Sequence, residues 1–219
     1  METMLKIAVI LAAYLLGSIP TSVWVGKIFY GIDVREHGSG NAGATNTIRV
    51  LGLIPGISVF IVDVLKGYLA VRLLYLTDFY IPKTGMFINF QLFLGIAALL
   101  GHIFPIFAQF RGGKGVAVLS GVVFALHPYA TLIVFGIWIV SVLITRYVSL
   151  SSMIAGFSFP LVLIFVYRTT NPSLITFAFI LAILMLFTHQ KNIERLVKGE
   201  ESKFSLKKKS KTSQGNQKQ

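Results

Sequence analysis

Seven apolar runs occupy most of this chain: residues 5–30, 53–76, 86–110, 116–126, 129–144, 150–166 and 173–187. With 55% hydrophobic and 13% charged residues and a mean hydropathy of +0.77, the chain lies outside the range of water-soluble domains. The expected fold is an all-α integral membrane protein, a bundle of about seven transmembrane helices that uses nearly the whole of the 219 residues. The run 116–126 is too short to cross a hydrocarbon core of ~30 Å as a straight helix. If it is half-buried, or pairs with the next run as a re-entrant unit turned at His127-Pro128, five or six full crossings remain. The first run is longer than a secretory signal, and no small-x-small cleavage site follows it, so it reads as a retained helix. Pro20 should kink it and leave a backbone carbonyl in need of a partner inside the bundle.

The formal charge of +12 suggests nucleic acid until its distribution is read. Six lysines fall within residues 203–219, a polar stretch that cannot bury enough apolar surface to fold alone. The chain therefore divides into a polytopic domain, residues 1–202, and a disordered basic tail, residues 203–219, adhering to anionic membrane lipids. No nucleic-acid partner is implied. Alternating the seven segments collects Lys27, Arg35, Arg49, Arg111, Lys114, Arg146, Lys191, Arg195, Lys198 and the tail at one face, against Lys6, Lys83 and Arg168 at the other. By the positive-inside rule the first face is cytoplasmic, with the N-terminus outside and the C-terminus inside.

Four polar signatures end apolar runs at that cytoplasmic face. In GSGNAGATNTIR, Gly38, Gly40 and Gly43 alternate with Ser39, Asn41, Thr45 and Asn46 before Arg49. Glycines let consecutive N–H groups converge on an anion, and an arginine grips phosphate oxygens with two parallel bonds. FRGGKG places Gly112, Gly113 and Gly115 around Lys114 at the start of a helix, whose N-terminal amides attract anions. Thr145-Arg146 follows the fifth run. HQKNIER spaces His189, Asn192 and Arg195 three residues apart, on one side if the helix continues.

Nucleotide readings fail on context. The GxGxxG-like spacing from Gly38 follows no strand, and FRGGKG lacks the first glycine and the Ser or Thr of a P-loop. Without cysteine there is no thiolate nucleophile, and no His pair or acidic cluster suggests a metal; no cofactor is implied. Asp63 and Lys66, i and i+3 within the second run, read as a buried structural pair. His102, in GHIFP, reads as a packing residue.

GSGNAGATNTIRVLG, GHIFPIFAQFRGGKGVA and HQKNIERLVKGEES, in that order, resemble the three signature motifs of the bacterial acyl-phosphate-dependent glycerol-3-phosphate acyltransferases, the PlsY family. DVLKG (63–67) and TRYVSLSS (145–152) also resemble that family, so the similarity covers nearly the whole chain. The resemblance implies transfer of a fatty acyl group from acyl phosphate to the 1-hydroxyl of glycerol 3-phosphate, giving lysophosphatidic acid and inorganic phosphate, the first acylation of phospholipid biosynthesis. It implies a multi-pass protein of the bacterial cell (inner) membrane with a cytoplasm-facing site, supplied with acyl phosphate by a phosphate acyltransferase. By the same resemblance Ser39, Arg49, Lys114, Arg146, His189 and Asn192 are the catalytic candidates. Gly40, Asn41, Gly43, Thr45, Asn46, Gly112, Gly113, Gly115 and Thr145 are the phosphate-binding candidates, with the Gly112–Gly115 loop associated with glycerol 3-phosphate. Val118 departs from the Thr common in the family, whereas Thr145 keeps the hydroxyl of the Ser also found there.

No nucleophile–base pair stands out, so direct attack by the glycerol hydroxyl on an already activated acyl donor is the expected route, without an acyl-enzyme. The proton acceptor, His189 or a phosphate oxygen, stays open, as do acyl-chain preference and oligomeric state. A transporter of organic phosphates would also want cations and glycine loops, but transporters commonly carry internal repeats meeting at the midplane, and none is visible in this chain.

Overall fold

The computed structural model describes residues 1–204, which form ten α-helices and, among those residues, no strand. In order they are α1 (Glu2–Ser18), α2 (Thr21–Tyr30), α3 (Ala44–Leu51), α4 (Leu53–Arg72) and α5 (Gly85–Ile103). After them come α6 (Val116–Leu126), α7 (Pro128–Thr145), α8 (Val148–Leu161), α9 (Pro172–Thr188) and α10 (Gln190–Val197). Local chemistry sets many of the ends. Thr84 caps α5 by accepting from Phe87 N, Asn171 caps α9 by accepting from Leu174 N, and α7 and α9 each begin with proline, whose missing N–H costs nothing there.

Each apolar run yields a helix, but several runs overestimate its length. The first breaks at Ile19-Pro20, where α1 and α2 meet at 43°. The second and third finish in 3₁₀ turns at Leu73–Leu76 and Ile106–Ala108. The sixth, carrying Pro160, ends in a π-helical turn at Val162–Val166. Three helical segments are long and apolar enough to cross a membrane singly, and two bent pairs, α1 with α2 and α9 with α10, raise that to five. α4 has 20 residues, ~30 Å of helix, but carries Asp63 and Lys66 in its interior. α6, at 11 residues, is short and lies principally along α4.

α5 is central and α7 peripheral: 61% of the most apolar stretch of the first is buried inside the protein, against 17% for the second. α1 packs along α5, α4 along α6, and α7 along α8, which in turn meets α9. Helix association in lipid lacks a hydrophobic drive and rests on close backbone approach. A Cβ at Gly17 would run into the Ala98 carbonyl and one at Gly101 into that of Tyr14, so α1 and α5 interlock through reciprocal glycines. Gly67 against the Val118 carbonyl and Gly121 against the Val64 carbonyl do the same for α4 and α6.

The charged pair inside α4 completes this scaffold. Lys66 Nζ lies 2.9 Å from Asp63 Oδ1 and donates at 2.7 Å to the carbonyl of Ile19 at the Pro20 break; that carbonyl also accepts from Thr21 N at 3.0 Å. Asp63 accepts from Thr21 Oγ1 at 2.9 Å. The kink and the pairing expected from sequence are thus one device, in which the lysine satisfies both a carboxylate and an interrupted helix. At the far end of the bundle Lys6 lies over the Tyr80 ring at 4.7 Å and Arg72, absent from the sequence-based charge count, over Tyr75 at 4.0 Å.

Lys203 and Phe204, assigned by sequence to the tail, are placed against the bundle: Phe204 N donates to the Arg146 carbonyl at 2.7 Å. The rest of the expected tail, residues 205–219, lies outside the described residues.

The glycine interlocks predict that Gly121→Val lowers stability by about 3 kcal/mol through overpacking. Gly136→Ala on α7, where an added Cβ meets nothing within 4 Å, should leave it unchanged or slightly raised. Thermal unfolding in detergent separates the two; equal melting temperatures would contradict the interlock.

Candidate active site

The first signature is half loop and half helix. Gly38 (φ +64°) and Gly40 (φ +72°) occupy left-handed turns, and a side chain at Gly38 would collide with Asn46. Asn46 is buried on the inner face of α3 and spends its whole amide on the loop. Its Oδ1 accepts from Ser39 N at 2.8 Å and Ser39 Oγ at 3.1 Å, and its Nδ2 donates to the carbonyls of Val34 and His37. Asn46, expected from sequence to bind phosphate, is the staple of this loop. Thr45 and Arg49, one turn apart, lie on the exposed face of α3. Gly43 is the residue before α3, and Asn41 precedes it with its side chain half-buried.

A second staple fixes this loop to the next. Asp33 is clasped by Arg35 through Nε and Nη2, with Lys27 at 3.3 Å, and Arg35 Nη1 reaches the carbonyls of Ala108 and Arg111. The Arg35 guanidinium holds the Asp33 carboxyl well below the usual carboxylate range.

FRGGKG folds back on the end of α5. Gly112 N donates to the Ile103 carbonyl at 3.1 Å and Gly113 N to that of His102 at 3.2 Å, pairing carbonyls that a helix C-terminus leaves open. A Cβ at Gly113 would strike the His102 ring and the Ala42 carbonyl, so this glycine is where the first and second signatures touch. The amides of Gly112 and Gly113, expected to cradle phosphate, are bonded to the end of α5. Gly115 (φ +83°) instead turns the chain into α6, whose first-turn amides no helix can pair internally, directly after Lys114. Val118 is fully buried, and its backbone carbonyl lies against Gly67.

Lys114 Nζ donates to Asn192 Oδ1. α9 stops at Thr188 and α10 leaves at 60°, so His189 sits at the break while Asn192 and Arg195 share a face of α10. The single continuing helix considered from sequence is thereby replaced by a corner. His189 is buried, and its Nδ1 contacts the Met185 carbonyl at 2.8 Å. A carbonyl only accepts, so Nδ1 carries the hydrogen and Nε2 keeps its lone pair. Glu194 is 2.6 Å from Lys198 at the exposed surface, so it forms no dyad with His189.

Glu201, overlooked in the sequence reading, organises this corner. Its Oε1 accepts from Asn192 Nδ2 and from Ser149 Oγ, each at 2.7 Å, and its Oε2 is 3.1 Å from Arg195 Nε. Gly199 (φ +71°) reverses the chain after α10 and delivers it. A glycine followed by a carboxylate just past an amphipathic segment was the available signal. Burial pushes the Lys114 ammonium down to about 8; Glu201 acts in the opposite direction, while Arg195 and Arg49 add to the lowering.

Asn192, His189, Arg49 and Arg195 are thus each brought within bonding or electrostatic reach of Lys114. Thr145 is drawn into a capping role, donating to the Ser141 carbonyl and accepting from Tyr147 N. Arg146 is exposed in a left-handed turn (φ +61°), with its carbonyl taken by Phe204. Ser39 is committed to Asn46. Among the described residues no group of three His, Asp or Glu could hold a metal ion.

The glycerol-3-phosphate acyltransferase family model matches residues 7–199. The glycerol-3-phosphate acyltransferase of Chlorobaculum tepidum is 37% identical, over 91% of this chain and 97% of that protein. That of Fusobacterium nucleatum is 42% identical, over 90% and 97%. The crystal structure of PlsY (YgiH), an integral membrane glycerol 3-phosphate acyltransferase, superposes in its glycerol 3-phosphate form with a TM-score of 0.81 at 37% identity, covering 91% of this chain and 96% of that one. Its lysophosphatidic acid form gives a TM-score of 0.78. With the family model matched across most of its length and relatives of this identity at nearly full coverage, the chain belongs to the glycerol-3-phosphate acyltransferase family.

Proposed function

We propose that the protein transfers a fatty acyl group from acyl phosphate to the 1-hydroxyl of sn-glycerol 3-phosphate, releasing lysophosphatidic acid and inorganic phosphate. One observation carries this reading beyond family membership. Lys114, with a neutral amide as its hydrogen-bond partner, shares a corner with His189 and the charges of Arg49 and Arg195. Two phosphorylated substrates repel each other in water, and a cluster of fixed cations turns their meeting into an oriented encounter.

The C1 oxygen of glycerol 3-phosphate forms a bond to the acyl carbonyl carbon, and the carbonyl oxygen takes up the developing charge. Collapse re-forms the carbonyl and breaks the bond to the phosphate oxygen, which leaves with the electron pair. Lys114, Arg49 and the first-turn amides of α6 stabilise the oxyanion and the leaving phosphate. The hydroxyl proton passes to Nε2 of His189 or directly to the leaving phosphate. No covalent acyl-enzyme is needed, because the donor is already activated. The catalytic and phosphate-binding set otherwise comprises Ser39, Arg146 and Asn192, with Gly40, Asn41, Gly43 and Thr45 of the first signature and Gly112, Gly113 and Gly115 of the second. In this set Asn46 and Thr145 shape the loops around the phosphates.

The protein is read as a multi-pass protein of the bacterial cell membrane, a bundle of about seven transmembrane helices of which five or six can be full crossings, with the N-terminus outside and the site facing the cytoplasm. The site gathers at helix ends rather than at the midplane, which favours an enzyme over a transporter.

Arg49→Ala and Lys114→Ala are each expected to lower kcat/KM roughly 10²-fold, measured as glycerol 3-phosphate-dependent phosphate release by purified protein. Near-normal kinetics in both would remove the site assignment. His189→Gln and His189→Ala decide the proton: most activity retained by the Gln variant excludes His189 as an obligatory base. For topology, the chain's lack of cysteine makes single-cysteine labelling clean. An impermeant maleimide should label Lys83→Cys in intact cells and Arg111→Cys only after permeabilisation, and the reverse pattern would invert the orientation.

A further inference from the structure

We propose that Glu201 is a positioning residue for the reaction: carried back by the strap after α10, it fixes the orientation of Asn192 and thereby holds Lys114 in place for phosphate. The inference rests on the proposed function, since it concerns the same lysine.

The geometry is a directed chain. A carboxylate can only accept and an ammonium can only donate, so an amide lying between them has one self-consistent orientation. Asn192 Nδ2 donates to Glu201 Oε1, and Asn192 Oδ1 is left to accept from Lys114 Nζ. Remove the carboxylate and the amide is free to flip, presenting NH₂ to the ammonium. Glu201 is itself held on three sides: Ser149 Oγ at the start of α8, Asn192 and Arg195 on α10. The strap is tied at both ends. Gly199 N and Glu200 N bond back to the Leu196 and Arg195 carbonyls, and Phe204 N bonds to the Arg146 carbonyl beyond α7. The residues after α10 thus shape a site whose proposed substrate-contacting groups lie earlier in the chain.

The charges facing Lys114 are Arg49 from α3, Arg195 from α10, Glu201 from the strap and the His189 imidazole at the α9–α10 corner. Glu201 is the one anion in that set. Its negative charge helps Lys114 stay protonated against burial and two neighbouring cations.

The test uses the full-length purified enzyme and glycerol 3-phosphate kinetics across pH. In the wild type, kcat/KM for glycerol 3-phosphate should fall above about pH 8 as Lys114 loses its proton. Glu201→Gln keeps an acceptor for Asn192 and Ser149 but removes the charge. It should raise KM about tenfold, leave kcat within about threefold, and move the alkaline limb to lower pH. Glu201→Ala should lower kcat as well, and Glu200→Gln, exposed and outside the chain of contacts, should change nothing. Wild-type KM and an unmoved limb in Glu201→Gln would overturn the proposal. So would equal loss in the Gln and Ala variants with no change in KM or limb, the pattern of a merely structural residue. Should both variants fail to fold, Ser149→Ala reads the same geometry with the carboxylate intact: a KM rise of about threefold supports the proposal, and an unchanged KM overturns it. Phosphate release by the wild type in the same assay tests the proposed function independently.

Discussion

A lysine ammonium withdrawn from water must find its counter-charge within the protein or in a ligand, and two lysines of this chain answer that demand in opposite ways. Lys66, deep in α4, is neutralised by Asp63 and bonded to the Ile19 carbonyl. It is buried and bonded within the protein, and it serves the scaffold. Lys114 is half-buried at the start of α6, beside two cations, and its hydrogen-bond partner is the neutral amide of Asn192. The bundle that Lys66 helps to fix delivers a second lysine that faces Glu201 as its one neighbouring anion and that, in the proposed function, meets a substrate phosphate.

The glycine-rich loops make this possible by a different route from the one their composition suggests. Glycines beside a lysine invite the picture of backbone amides wrapped around phosphate. In the fold, Gly112 and Gly113 are small because they pass against His102, Ile103 and Ala42, and their amides close the end of α5. Gly38 is small because Asn46 lies beneath it. The loops act as frames, and in the proposed function they hold Lys114, Arg49 and the start of α6 where the phosphates would sit.

Much of this was legible in the sequence. Hydropathy located every long helix, Pro20 announced the kink, Asp63 and Lys66 at i and i+3 announced their pairing, and positive charge gathered the signatures at one end. What hydropathy missed were the short amphipathic helices α3 and α10, whose apolar residues are too few to form a run. It also missed the corner at His189 and the strap after Gly199. These depend on contacts between residues far apart in the chain, such as Ser149 with Glu201 and Lys114 with Asn192, which no local pattern records. Arg35 likewise looked like one more interfacial charge until its reach to Ala108 and Arg111 made it a clamp between loops.

The central claim is that a phosphate on each substrate is what the site grips. Its most direct test is an assay of the purified protein with glycerol 3-phosphate and, in turn, acyl phosphate, acyl coenzyme A and acyl carrier protein as donors. The account predicts lysophosphatidic acid and stoichiometric inorganic phosphate with acyl phosphate alone. Product formed equally well from a thioester donor would contradict it.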